Sequence, residues 1–230
     1  MERRARYIAS QISQEPQKTI LEIGCGTGEV SFWLAQATGL QVLGTDICAP
    51  FIEDAKAQYR LPNLKFEVLD FNNPQQVSGR RFDYVVGNGI LHHLFPTLKS
   101  ALLAIRGILN PGGRIVFMEP NIYNPYCAVI FNYARKWAKL EPDEMAFSRR
   151  YITRLLHESG YTGVRVQYGD FLIPGVPRQL IQPSIFLGRY LEKIWPLNRL
   201  SQSLFIVGEA PPEYGSQRGD LIADGQGRGL

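Results

Sequence analysis

Three glycines at alternate positions, Gly24, Gly26 and Gly28, follow the short apolar run Thr19–Ile23 and precede a stretch patterned as a helix. Glycine is required where the backbone takes positive φ or must approach another group with no Cβ between them. The segment Leu21-Glu-Ile-Gly-Cys-Gly-Thr-Gly therefore reads as a strand that turns sharply into a helix. A turn that bare is either a tight corner or the floor of a ligand site. Its spacing separates ligand classes: a dinucleotide fingerprint has its third glycine where this chain has Glu29, so no pyrophosphate cradle is implied.

The chain downstream keeps alternating. Residues 29–37 and 50–59 read as helices, and 41–45, 64–69 and 82–87 as strands, with Asp46 and Asp70 each closing a strand. A helix over 97–109 stops at Asn110-Pro-Gly-Gly, which starts a fifth strand at 114–118. Strands alternating with helices predict an α/β fold with a mostly parallel sheet covered on both faces. Residues 2–15 read as an amphipathic helix, 148–159 as a late helix closed by Gly160, and 164–168 and 204–207 as further strands. Two segments break the alternation, an aromatic-rich insertion at 120–147 and a proline-punctuated one at 171–200. One domain over 1–209 accommodates both, and 210–230, poor in large apolar residues, is expected to be a mobile tail.

With 45% hydrophobic and 20% charged residues, the chain can bury a core. It shows neither a secretory signal nor an apolar run of the roughly 20 residues that span a bilayer. Three cysteines without C-x-x-C spacing argue against disulfides or zinc and point to a reducing cytoplasm. The net charge of +4 fits a solvated basic surface, an anionic substrate or a membrane surface. No dense basic block with interleaved aromatics points to nucleic acid.

From Thr19 to about Met118 the chain resembles class I S-adenosylmethionine-dependent methyltransferases, in particular the small-molecule and lipid group. The resemblance implies a Rossmann-like fold with a seven-stranded, mostly parallel sheet, helical lid insertions and S-adenosyl-L-methionine as cofactor. Carried over, Gly24, Gly26 and Gly28 give close backbone approach beneath the methionine and ribose, with Cys25 inside that turn. Glu22 orders the turn or meets the methionine amino group. Asp46 takes the ribose hydroxyls and Ile47 packs on the adenine. Asp70, with Phe71 beside it, meets the adenine amino group, and Asn88 lines the methionine end.

Methyl transfer from a sulfonium needs alignment, a dry polar site and no metal; a base is needed only when the nucleophile arrives protonated. His92 and His93 are the base candidates, His93 marginally ahead, because they follow the fourth strand at the ligand edge of the sheet. Glu119 could take a proton or pair with a cation, while Tyr123, Asn124 and Tyr126 could orient an acceptor. The two insertions, with Trp137 in the first, are expected to form a lid over an apolar acceptor pocket. Their basic rim, with Arg178, Arg189, Lys193 and Arg199, suits an anionic headgroup or peripheral contact with a lipid surface. Arg149 and Arg150 could reach an anionic substrate. The acceptor is therefore expected to be a hydrophobic metabolite or lipid, methylated on O, N or C. Two other readings stand beside it: a non-catalytic protein that binds the same cofactor, and a nicotinamide-dependent oxidoreductase, against which the absent third glycine counts. Acceptor identity and oligomeric state are left open.

Overall fold

The computed structural model describes residues 1–212 except 14, 72–78, 137–139, 141–143 and 173–174, and the backbone alone of Phe95 and Pro96. In chain order the elements are α1 (Glu2–Ser10), β1 (Thr19–Ile23), α2 (Glu29–Thr38), β2 (Gln41–Asp46), α3 (Ala49–Gln58), β3 (Leu64–Val68) and β4 (Phe82–Asn88). A 3₁₀ segment, Leu91–Thr97, leads into α4 (Leu98–Gly107), followed by β5 (Leu109–Pro120), α5 (Pro125–Asn132), α6 (Arg149–Glu158) and β6 (Thr162–Gly169). Then come α7 (Arg178–Leu191), a 3₁₀ turn at Leu197–Leu200 and β7 (Ser203–Glu209).

The seven strands form one sheet in the order β3-β2-β1-β4-β5-β7-β6. Strands β1 to β5 pair in parallel, and β7 enters antiparallel between β5 and β6. Period-two alternation divides the core between the two faces. Tyr84 and Val86 of β4 and Val116 and Met118 of β5 pack with α1, α2 and α3. Val85, Ile115 and Phe117 point the other way and pack with α4 and α6. All parallel strands thus end at one edge, where the glycine turn, Asp46, Asn88 and Glu119 lie together.

Three local differences from the sequence expectation have physical causes. Helix α1 ends at Ser10 rather than 15, because the chain turns at Gln11 and Ser13 N–H donates to Tyr84 Oη at 2.9 Å. Strand β5 begins at Leu109, with a register shift opposite Phe82 and Tyr84 that absorbs the Pro-Gly-Gly turn. The 171–200 insertion contains a 14-residue helix, α7, with Pro183 inside it and Gly188 its one buried residue among those described. Trp137 and the tail 213–230 lie outside the described residues.

Candidate active site

The glycine turn is bare for two different reasons. Gly24, Gly26 and Gly28 have φ of 66°, 53° and 84°, a region that costs an L-residue roughly 1–2 kcal/mol. A Cβ on Gly24 would come within 2.6 Å of Ile90, and one on Gly28 within 2.6 Å of the Phe66 ring. These two glycines are demanded by the protein's own packing. A Cβ on Gly26 would meet nothing within 4 Å, so this glycine alone presents bare backbone to open space. Asp46 fixes the turn: Oδ2 accepts the Gly26 N–H and Oδ1 the Cys48 N–H, both at 2.9 Å. Each carboxylate oxygen keeps acceptor capacity for a further donor.

Beneath the turn, Glu22 is 1% exposed and accepts from the Ser31 hydroxyl. Burial pushes its carboxyl up to about 8, against the hydrogen bond from Ser31, so it is neutral below that pH. Cys25 is also buried, and the same desolvation, with the charges of Glu22 and Asp46, raises its thiol far above the ordinary range. It is a space-filling group and no nucleophile.

Past β4 the chain is held by a single carboxylate. Glu119, 1% exposed at the end of β5, accepts the backbone N–H groups of Ile90, Leu91 and His92 at 2.9, 2.7 and 3.3 Å. Its Oε2 also meets His92 Nδ1 at 2.9 Å. Both Glu119 oxygens are thus engaged, and the side chain, expected to take a proton or pair with a cation, is shut away from solvent with the His92 ring held against it. Burial lowers the His92 pKa, but the hydrogen bond and charge of Glu119, with the charge of Glu144, outweigh it and raise the value above 6.5. The other ring nitrogen, Nε2, makes no hydrogen bond among the described residues and is not sealed from solvent.

His93 stacks on His92 with ring centroids 4.1 Å apart, and its Nδ1 meets Glu144 Oε1 at 2.8 Å. Glu144 is 4% exposed, and its Oε2 is buried without a partner. His92, His93 and Glu144 each bring a donor atom within 4.8 Å of the others, a set that suits a divalent transition metal. As placed, both Nδ1 atoms are engaged by carboxylates, and the trio stands as two adjacent His–Glu pairs.

A family model described as a methyltransferase domain matches residues 21–115, the span that builds the turn, Asp46, the His92 loop and most of β5. Over that span the chain is similar to class I S-adenosylmethionine-dependent methyltransferases. That likeness points to S-adenosylmethionine as the cofactor. The bare backbone at Gly26 and the free acceptor capacity of Asp46 fit that molecule's adenosyl and amino-acid parts. Among curated relatives, a probable polyketide synthase 32 of Dictyostelium discoideum is 25% identical over 183 residues, 67% of this chain. The match spans only 6% of that much longer relative. A trans-aconitate 2-methyltransferase of Deinococcus radiodurans is 37% identical over 117 residues, 50% of this chain and 43% of its own length. Among solved structures, the CurJ carbon methyltransferase is alike at a TM-score of 0.60 and 23% identity, over 88% of this chain and 50% of its own.

The remaining expected site residues divide clearly. Ile47 is 63% exposed beside Asp46, and Asp70 is half-buried at the end of β3. Phe71, expected beside the adenine, instead packs in the core at 7% exposure, since its ring completes the apolar face shared with Leu69 and Leu94. Asn88 is already gripped, its Oδ1 accepting from Arg4 Nη1 at 2.8 Å. Tyr126, expected to face an acceptor, packs against the small cluster of Cys127, Ile130 and Phe131. Asn124 caps α5 by accepting from the Cys127 N–H. Tyr123 is 54% exposed and lines a cavity with arginines of α6. That cavity is rich in arginine, and several large side chains of α7 are exposed. Sequence reasoning missed Arg4 and Glu144. The run Glu-Arg-Arg-Ala-Arg looks like solvated charge, and Glu144 sits in an insertion without periodicity.

Proposed function

We propose that this methyltransferase methylates a nucleophile that must first lose a proton, an acidic C–H or an O–H of a hydrophobic metabolite or lipid, with His92 as the base. The carrying observation is the His92–Glu119 pair, held at the ligand edge with Nε2 unengaged. S-adenosylmethionine supplies a methyl group already activated by its sulfonium. The protein contributes the rest. Glu119 fixes Nδ1–H, leaving Nε2 as acceptor, and stabilises the imidazolium that forms when Nε2 takes the proton. His92 is preferred to His93 because its ring is buried beside Gly89, whose added Cβ would lie 3.6 Å from His92 Cε1, whereas the His93 side chain is 47% exposed. The likeness to a carbon methyltransferase supports a carbon acid as nucleophile.

A hydrophobic acceptor is supported by α7 and the turn after it. Leu180, Phe186, Leu187, Tyr190, Ile194 and Trp195 are 47% to 73% exposed, with Arg178, Arg189 and Lys193 among them. Apolar anchors interleaved with cations match a helix lying in the interface of an anionic bilayer. No described helix is long and apolar enough to cross a membrane.

The test follows S-adenosylhomocysteine formation with a metabolite and lipid extract as acceptor source. Wild-type turnover is expected to rise with pH through a midpoint above 6.5, the ordinary histidine value. His92→Asn should lose about 10²- to 10⁴-fold of it while binding the cofactor product normally. Undiminished turnover by His92→Asn contradicts the assignment.

A further inference from the structure

Beside the loop that follows Glu119 lies a cavity of about 790 Å³, walled by the start of α6, the edge strand β6 and the Leu197–Leu200 turn. Four arginines, Arg149, Arg150, Arg154 and Arg199, line it from the α6 side of the sheet; Arg165 also borders it from β6, its side chain turned to the opposite face beside Tyr7, and no lining residue is acidic. Arg154 has a loose ion pair with Glu158 at 3.6 Å. The side chains of Arg149, Arg150 and Arg199 have no carboxylate or hydrogen-bond acceptor among the described residues. Several arginines elsewhere are paired with carboxylates: Arg3 and Arg4 with Asp170, Arg80 with Glu67, Arg114 with Glu209. Like charges converging on one hollow repel one another unless an anion or bulk water lies between them.

Two features set this group apart from a solvated basic face. Arg149 lies 5.7 Å over the Tyr168 ring and Arg199 lies 5.8 Å over the Trp195 ring, contacts that hold guanidinium planes in place. The cavity is also joined to the catalytic edge. Phe147 N–H donates to Pro120 O at 2.9 Å and Ile122 N–H to Phe147 O at 3.0 Å. Those bonds fix the start of α6 against the end of β5, and Tyr123 lines the cavity only four residues after Glu119.

We propose that this cavity binds a phosphate ester or diphosphate carried by the acceptor; the word acceptor rests on the methyl-transfer reading, the anion site does not. A carboxylate would neutralise one of the three unpaired guanidiniums of Arg149, Arg150 and Arg199, whereas phosphate and diphosphate carry two or more charges and the oxygens to accept several forked pairs. The volume falls within the usual range for small-molecule sites.

Inorganic pyrophosphate is the probe, titrated calorimetrically into the full chain at low salt, with S-adenosylhomocysteine titrated in parallel. Saturable pyrophosphate binding is expected, weakened about tenfold or more in the double variant Arg149→Gln/Arg199→Gln. The corresponding lysine double variant should recover part of it, since charge without the planar fork is a weaker match. S-adenosylhomocysteine binding should be the same in all three proteins. Phosphatidylglycerol vesicles identify the source: displacement of bound protein by pyrophosphate assigns a lipid headgroup, and vesicle binding indifferent to pyrophosphate assigns a soluble ester. Absence of saturable pyrophosphate binding, or equal binding by the glutamine variant, overturns the proposal. Failure of S-adenosylhomocysteine alone to bind would count against the methyl-transfer reading and leave the anion site standing.

Discussion

Glu22 shows how one buried carboxyl ties stability to pH. Its folded value of about 8 lies above the ordinary 4.5, so the folded chain keeps a proton that the unfolded chain releases. Its contribution is complete below 4.5 and is lost as pH rises toward 8. Glu22→Gln keeps the hydrogen-bonding shape without the titration, and should flatten the fall in melting temperature between about pH 5 and pH 9. An unchanged slope would show that Glu22 is not the group responsible. Glu119 plays a different part, its two oxygens accepting from three backbone N–H groups. Glu119→Gln turns an amide NH₂ toward those donors and should cost about 1–3 kcal/mol in urea unfolding. It should also lower the pH midpoint of turnover by removing the charge that raises His92.

At the scale of elements, α1 is tied down by one side chain. Arg4 donates to Asn88 Oδ1 at 2.8 Å, Asp170 Oδ2 at 3.3 Å and Gln202 Oε1 at 2.8 Å, joining α1 to the ends of β4, β6 and β7. Arg4→Ala should speed amide exchange across residues 2–10 and weaken S-adenosylhomocysteine binding several-fold, by roughly 1 kcal/mol. Unchanged exchange would mean that burial of Ala5 and Ile8 alone holds the helix. The strands and the glycine turn were legible because their signals are local: alternation within five residues, and a glycine every second position. The tether was not legible, since Arg4 and Asn88 stand 84 positions apart. The enclosure of Glu119 was hidden likewise, its donors lying 27 to 29 residues upstream. Helix α7 was seen as an apolar insertion, but which way it faces depends on the close approach of Gly188 to Phe171, which no sequence period encodes.

For the whole molecule, sequence alternation led to a parallel α/β sheet, but not to the antiparallel entry of β7 between β5 and β6, a pairing of residues about 90 positions apart. That insertion brings β6 to the sheet edge, where the arginine cavity lies beside the loop that follows Glu119. A modest net charge of +4 thus conceals a concentrated basic site. The central claim is that S-adenosylmethionine lies against the backbone at Gly26. It is tested most directly by calorimetric titration of S-adenosylhomocysteine into the wild-type chain and Gly26→Val. A Cβ there meets no protein atom within 4 Å beyond its chain neighbours, so the main cost to folding is that of the left-handed backbone, roughly 1–2 kcal/mol for an L-residue and more for a β-branched one. Saturable binding by the wild type, weakened about a hundredfold or abolished in a folded Gly26→Val, is the predicted result. Equal binding by the two proteins, or no binding by the wild type, would contradict it.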